Sequence, residues 1–511
     1  MKRCIERNQT FFTAAVIGLL AFALGCSPVE NSTGVLAVQD DFIQATQSPG
    51  DLEEYYPNLI EEFRADLDNL ADAPRYQIEV EIGDAITDVS GSMRVEYTNR
   101  GAQPLKDIYF RLFPNMAGDY LRVEDVRVNG EPAASELAHQ NTSLRVLLER
   151  PLEPGEKTEI SMSFFQQVPS EMGGNYGLYI FQEDILALDA FFPIIPVFNE
   201  DGWQVQDPPP NADMIFTESA FFKVRVSAPD ELVLAASGVE VGSVEEGGRR
   251  FSTFVGGPQR DFYLAASPWF ASESMQVGGT LITSYFPEEY REMGEKVLLW
   301  ATQAFIIFSE RFGSYPYAEL DLVSTPMQAG GMEYSGAAAL ALNLYEPEPP
   351  LNDNPGTIFL ESATAHELAH QWFFNQVMNN PVQDPWMDEG LAQYLTYVYY
   401  RDNYGEGAGR NYIDTWELRW NRVDRADIPI GLPAGEYSGV EYSAIVYGRA
   451  PLFMLELQQR LGEEEFSEFL RDYVEIYHWQ TVRPADFIGL VEHHCECDLA
   501  ALFRGWVRAG F

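Results

Sequence analysis

The stretch 363-ATAHELAHQWFF-374 decides how this chain of 511 residues is read. His366 and His370 stand four apart, so on a helix both imidazoles leave one face and can share a metal ion. Glu367 lies beside them, placed to take a proton from water without being a ligand. The chain has only 6 histidines, which makes a chance H-E-x-x-H rare. A zinc site that does chemistry takes three protein ligands and keeps one position open. The third ligand comes from 384-DPWMDEGLAQYL-395, where Glu389 follows His370 by nineteen residues. Asp384 as a cap and Pro385 in the first turn predict a helix whose next turn carries Glu389, facing the histidines if the two helices pack antiparallel.

Around this centre the period is helical. The run 288-EEYREMGEKVLLWATQAFIIFSERFG-313 gives a long apolar stripe that stops at Gly313 and Tyr315-Pro316. Further helices are expected around 358–378, 385–401, 447–461, 463–477, 484–494 and 498–509. Upstream the period is two. Tyr76, Ile78, Val80 and Ile82 alternate with polar neighbours, as do Met93, Val95 and Tyr97, and later Ile160, Met162 and Phe164. Turn signals such as 151-PLEPGEK-157 and 244-VEEGGRR-250 separate these strands. The expectation is a multi-domain α+β chain, with an N-terminal antiparallel β domain over 75–272 and a mainly α domain over 273–511.

Composition narrows the function classes. Hydrophobic residues make up 46% of the chain, enough for two cores. A formal net charge of -45 repels phosphate backbones, so nucleic acid is excluded as a natural partner. The first residues, MKRCIERNQT, carry Lys2, Arg3 and Arg7 and lead into the apolar run 11-FFTAAVIGLLAFAL-24. This reads as an export signal over 1–26. As a helix the run covers about 21 Å, short of the roughly 30 Å hydrocarbon core, which favours cleavage over a permanent span. Its end, Ala23-Leu24-Gly25-Cys26, resembles a bacterial lipobox, with Ala23 and Leu24 in reversed order. The resemblance implies lipid attachment at Cys26 and a membrane-anchored protein facing outside the cytoplasm. A plain secretory signal or an uncleaved anchor are the alternatives. A polar tether and a short helical segment are expected over 27–74.

With those residues on the page, the motifs resemble the aminopeptidase N family of zinc metallopeptidases, relatives of thermolysin. The resemblance rests on H-E-L-A-H, an eighteen-residue gap and W-M-D-E-G. Gly330-Gly331-Met332-Glu333-Tyr334 resembles the family's G-x-M-E-N segment, and 441-EYSAIVYGRAPLFMLEL-457 resembles its segment with two Tyr before a helix. It implies a thermolysin-like catalytic domain holding one zinc ion on His366, His370 and Glu389, and peptide substrates cut at the first peptide bond. By the same resemblance Glu367 is the general base and Glu333 binds the substrate's free α-amine, with Gly330 and Gly331 in the same substrate-binding segment. Tyr447 is the oxyanion donor and Tyr442 a further substrate contact. The family's large C-terminal helical domain has no counterpart after 503-FRGWVRAGF-511, so a short form is expected.

Three features depart from the family pattern. Tyr334 and Asp388 each stand where the family has Asn. Thr396 stands where the family often has an acid that orients a zinc histidine, a role Asp388 could take instead. In 186-LALDAFFPIIPVFNEDGW-203 the aromatic-Pro motif lacks the usual acidic pattern, which leaves Asp184 as a candidate second amine contact. The loop 207-DPPPNAD-213 is expected at the cleft edge. Of the 4 cysteines, only Cys495 and Cys497 lie beyond the export segment, and a bridge between residues two apart is expected to be strained. The run His493-His494-Cys495-Glu496-Cys497 reads as helix-end packing or a second metal site. Two other functions stay open: a lipid-anchored peptide-binding module without activity, and a zinc endopeptidase on the same scaffold.

Overall fold

The computed structural model describes residues 52–173, 176–210, 212–346 and 356–508, which belong to one compact unit. The export signal, Cys26 and the tether up to residue 51 lie outside the described residues.

The alternating stretch at 75–82 forms the strand Arg75–Ile82, with Tyr76, Ile78, Val80 and Ile82 all buried on one face. It lies inside an eight-stranded sheet, pairing antiparallel with Asp88–Thr98 and parallel with Ala220–Pro229. That parallel pair is the exception in an otherwise antiparallel sheet. A four-stranded, a three-stranded and a two-stranded sheet complete the β half. Its core is apolar and aromatic: Phe222 stacks on Tyr76 with centroids 5.0 Å apart, and Phe192 meets both edge-on. Gly91 is required where two strands approach, since a Cβ there would overlap Phe164 and the carbonyl of Glu79.

The hairpin Phe270–Val277 and Thr280–Pro287 opens the second half, so a strand crosses the position where the sequence reading divides the domains. Thr280–Pro287 pairs in parallel with Glu319–Thr325, which pairs in parallel with Ala337–Ala341. Gly331–Tyr334 closes this five-stranded sheet as an edge strand. The long helix Arg291–Phe312 packs on the sheet, followed by Gly356–Ala369, Asp388–Tyr404, Glu406–Asn421, Ala450–Leu461, Glu463–Ile476, Pro484–Cys495 and Ala500–Trp506. Helix Glu406–Asn421 has no counterpart in the sequence expectations. The helix expected over 358–378 ends at Ala369, and the one carrying Glu389 begins at Asp388, so Asp384 does not cap it. Among the described residues, no helix is long and apolar enough to cross a membrane.

The stretch expected as a helical bridge forms two 3-10 segments, Glu53–Asn58 and Glu61–Leu70, that pack into the unit. Tyr55 lies against Phe221 of the β half, and Leu59 bridges to Tyr317 of the second half. The halves are tied through buried polar groups. Arg260 donates to the carbonyls of Asn375 and Gln480, and the backbone N–H of Ser335 donates to Asp261 at 3.2 Å. Tyr334, in place of the expected Asn, stacks on Tyr263 across this junction at 4.1 Å.

Cys495 and Cys497 are joined by a disulfide, against the sequence expectation. Glu496 adopts a left-handed conformation (φ 48°) that brings the two Cα atoms to 5.1 Å, an ordinary bridge separation. His494 is held by Glu465 at 2.7 Å and Asp472 at 3.1 Å. With both sulfurs in the bridge, this helix end is a packed polar cluster and offers no thiolate to a metal.

Candidate metal centre

The site forms where helix Gly356–Ala369 ends, against the start of helix Asp388–Tyr404 and the edge strand Gly331–Tyr334. His366 lies in the last turn of its helix. His370 falls just beyond it, still in helical register through its N–H to the carbonyl of His366. The two helices pack together and bring Glu389 to the imidazoles. Nε2 of His366 lies 3.1 Å from Oε2 of Glu389 and 3.3 Å from Nε2 of His370, which in turn is 3.6 Å from Oε2 of Glu389. All three side chains are buried.

This donor set fits a zinc ion. Tetrahedral zinc with bonds of about 2.0–2.1 Å sets its ligand atoms about 3.4 Å apart, and the three observed edges bracket that spacing. Burial pushes the Glu389 carboxyl up, but the hydrogen bond with His366 and the nearby His370 imidazole outweigh it and hold the group well below its ordinary value. A carboxylate fixed in its charged form is what a cation site needs.

A second triad, Glu333, Glu367 and His370, shares His370 with the first, its ligand atoms within 4.8 Å of one another. Burial, then repulsion from Glu333, pushes Glu367 well above the usual carboxylate range. Burial likewise pushes Glu333 up to about 8, with His370 opposing and Asp213 and Glu389 adding to it. Oε1 of Glu333 is buried without a hydrogen-bond partner. Gly331 must be glycine, because a Cβ there would overlap the Glu367 carboxylate. Gly330 lies beside it, its carbonyl accepting from the N–H of Ala341. Among the described residues, no other cluster of His, Cys, Asp and Glu could hold a metal.

Tyr447 sits in a π-helical turn, Ile445–Arg449, and donates to Oε1 of Glu389. Tyr442, one turn earlier, packs its ring 5.9 Å from that of Tyr447 and leaves its hydroxyl unbonded. The structure therefore brings Glu333, His366, Glu367, His370, Glu389, Tyr442 and Tyr447 to one place. Asp184 is not among them: it is exposed and accepts from the indole of Trp269. Asp189, five residues on, is the buried acid of that region. Its carboxyl is pushed well above its ordinary value by burial, then by Asp261 and Glu333. Asp213, half-buried at the end of the 207–213 loop, is pushed up to about 8 by burial, then by Glu389 and Asp388. No short motif marks either residue. Asp388 does not orient a zinc histidine; its Oδ1 accepts from Asn379 at 3.0 Å.

The peptidase family M1 domain matches residues 298–506. That match takes in His366, His370 and Glu389, and also Tyr442 and Tyr447. Aminopeptidase M1-B of Oryza sativa subsp. japonica is 25% identical over 309 residues, which is 57% of this chain and 34% of that protein. Aminopeptidase N of Acetobacter pasteurianus is 30% identical over 183 residues, 34% of this chain and 51% of that protein. This chain thus spans about a third to a half of the length of these curated relatives. Among solved structures, an M1 zinc metallopeptidase mutant from Deinococcus radiodurans bound to a Tyr-Ser-Ala substrate covers 86% of this chain and 94% of its own at 20% identity, with a TM-score of 0.62. That likeness establishes the two-part fold, a β half followed by a helical M1 half. The cofactor of the family, one zinc ion, fits His366, His370 and Glu389.

Proposed function

We propose that this chain is a zinc-dependent aminopeptidase that hydrolyses the first peptide bond of peptides with a free N-terminal amine. The observation that carries this reading is the unpartnered, buried carboxylate of Glu333 beside Glu367 and His370. A substrate ammonium arriving there draws the Glu333 carboxyl into its charged form, pairs with it and sets the adjoining peptide bond over the metal ligands. The family match, relatives that are aminopeptidases, and a fold neighbour crystallised with a tripeptide all support it.

His366, His370 and Glu389 would hold zinc, which would supply a Lewis acid able to activate water and polarise a carbonyl. Glu367 takes the proton of the attacking water and hands it to the leaving amine, a shuttle suited to a carboxyl whose pKa is raised by burial. Tyr447 keeps its proton, because burial and the neighbouring Glu389 push its pKa well up, so its phenol donates to the developing oxyanion. The edge strand Gly331–Tyr334 offers backbone groups to an extended peptide.

The test is hydrolysis of free-amine and N-acetylated Leu and Ala amides, with chelator and with zinc restored. Cleavage of only the free-amine substrates, abolished by chelator, is the expected outcome. Equal cleavage of both would make the chain an endopeptidase, and cleavage of neither by zinc-loaded protein would favour a binding module.

We also propose export and lipid attachment at Cys26, supported by the basic start, the apolar run and the Cys that ends it. Replacing Cys26→Ser should move the protein from the membrane fraction to the soluble exported fraction; an unchanged distribution would count against the anchor.

A further inference from the structure

The two metal histidines are held from behind by different kinds of partner. Nδ1 of His370 faces the carbonyl of Phe373 at 3.1 Å. A carbonyl only accepts, so the proton of neutral His370 sits on Nδ1 and the lone pair of Nε2 is free for a metal. Nδ1 of His366 instead meets the amide nitrogen of Gln393 at 3.2 Å. Thr396, standing where the family often has an acid, is turned away and bonds the carbonyl of Ala392.

The orientation of the Gln393 amide is set by its other end. Its Oε1 accepts from the indole N–H of Trp416 at 3.1 Å and from the hydroxyl of Tyr412 at 3.0 Å, all three groups largely buried. Indole nitrogen only donates, so Oε1 must face Trp416 and the NH2 group must face His366. An amide donor at Nδ1 places the proton of neutral His366 on Nε2, the atom that turns to Glu389. Nε2 with a proton has no lone pair for a metal.

We propose that Gln393 is the positioning residue of His366, and that the Trp416 indole locks its amide so as to hold His366 in the tautomer opposed to zinc. This rests on the zinc reading of the site. Zinc uptake then requires Nε2 to lose its proton while Nδ1 carries one. The Nδ1–H needs an acceptor, so the amide must turn and present Oε1, which strips the indole N–H of its partner. A carboxylate at 393 would meet both demands at once, one oxygen for Trp416 and Tyr412, the other for Nδ1–H.

The experiment is zinc competition with a chromophoric chelator on the whole protein, wild type beside Gln393→Glu, Trp416→Phe and Gln393→Ala. Gln393→Glu should tighten the zinc Kd by about 10–100-fold, the usual scale for the hydrogen-bond partner of a zinc histidine. Trp416→Phe should tighten it by a smaller factor, because the amide is freed to turn. Gln393→Ala should not reach the affinity of Gln393→Glu. Since Trp416 is fully buried and Trp416→Phe could fold poorly, 15N spectra of histidine-labelled, chelator-treated wild type give an independent readout. One histidine in the Nε2–H form that switches to Nδ1–H on adding zinc supports the lock. A wild type that binds one zinc per chain, with Gln393→Glu no tighter or no tautomer switch, overturns the proposal alone. A wild type that binds no zinc overturns the zinc reading with it.

Discussion

The β half and the M1 half are built from opposite choices at their centres. Between the β sheets the core is apolar: Ile78, Val80, Phe222 and Val224 are wholly or almost wholly buried, and aromatic rings interlock around Tyr76. At the centre of the M1 half, Glu333, Glu367, Asp388 and Glu389 are buried together, and Oε1 of Glu333, Oδ2 of Asp388 and the hydroxyl of Tyr442 have no hydrogen-bond partner. Uncompensated buried polar groups cost free energy, typically about 1–3 kcal/mol each. The first centre is arranged for stability, and the second keeps groups unpaired, as the proposed metal and substrate site requires. A substitution in one half should therefore move a different quantity from a substitution in the other.

The largest separation is expected from Glu367→Gln. It removes the proposed proton shuttle while keeping the shape of the side chain, so on that reading turnover of a free-amine amide should fall about 10²–10⁴-fold. It also removes a carboxyl that burial and Glu333 already disfavour as an anion, so the thermal midpoint of the metal-free protein should hold or rise. A lower midpoint with activity retained would break the comparison. Phe222→Ala is the mirror case. The ring is fully buried, stacked on Tyr76 and edge-on to Phe192, so truncation should cost roughly 3–5 kcal/mol in denaturant unfolding. Well below its midpoint, the kcat/KM of that variant should stay near wild type.

What could be read in advance follows the same division. His366, His370, Glu367, Glu389, Glu333 and the two tyrosines sit in short local motifs, on or beside two helices, an edge strand and a π-helical turn, and all of them converge. The β strands were legible from period two because one face of each is buried. Four things were not. The parallel pairing of Arg75–Ile82 with Ala220–Pro229 joins segments far apart in sequence, and no local pattern encodes it. Helix Glu406–Asn421 has only Gly409 and Trp416 fully buried, so its apolar stripe is too thin to signal a helix. Gln393 was hidden because its role depends on Trp416 of that helix and not on its neighbours in the chain. The Cys495–Cys497 bridge depends on a single left-handed residue, Glu496, which sequence does not announce.

The smallest of these effects sharpens the comparison at the seam between the halves. Asp261 comes from the β half, is buried, and accepts the N–H of Ser335 in the M1 half. Burial pushes its carboxyl up to about 7, against the lowering effects of the Ser335 bonds and the Arg260 charge. The folded pKa thus lies above the unfolded value of about 3.9. Between these values the native state holds a proton that the unfolded chain has lost. The associated stability is full below about pH 4 and declines as pH rises towards 7. Asp261→Asn keeps an oxygen for the Ser335 N–H and removes the titration. Its stability relative to wild type should therefore grow by roughly 2–4 kcal/mol between pH 4 and pH 8, measured as paired urea unfolding curves. A difference that stays flat with pH would mean that Asp261 is already charged in the folded state, paired with Arg260. The seam would then be a buried ion pair, unlike either of the two centres it joins.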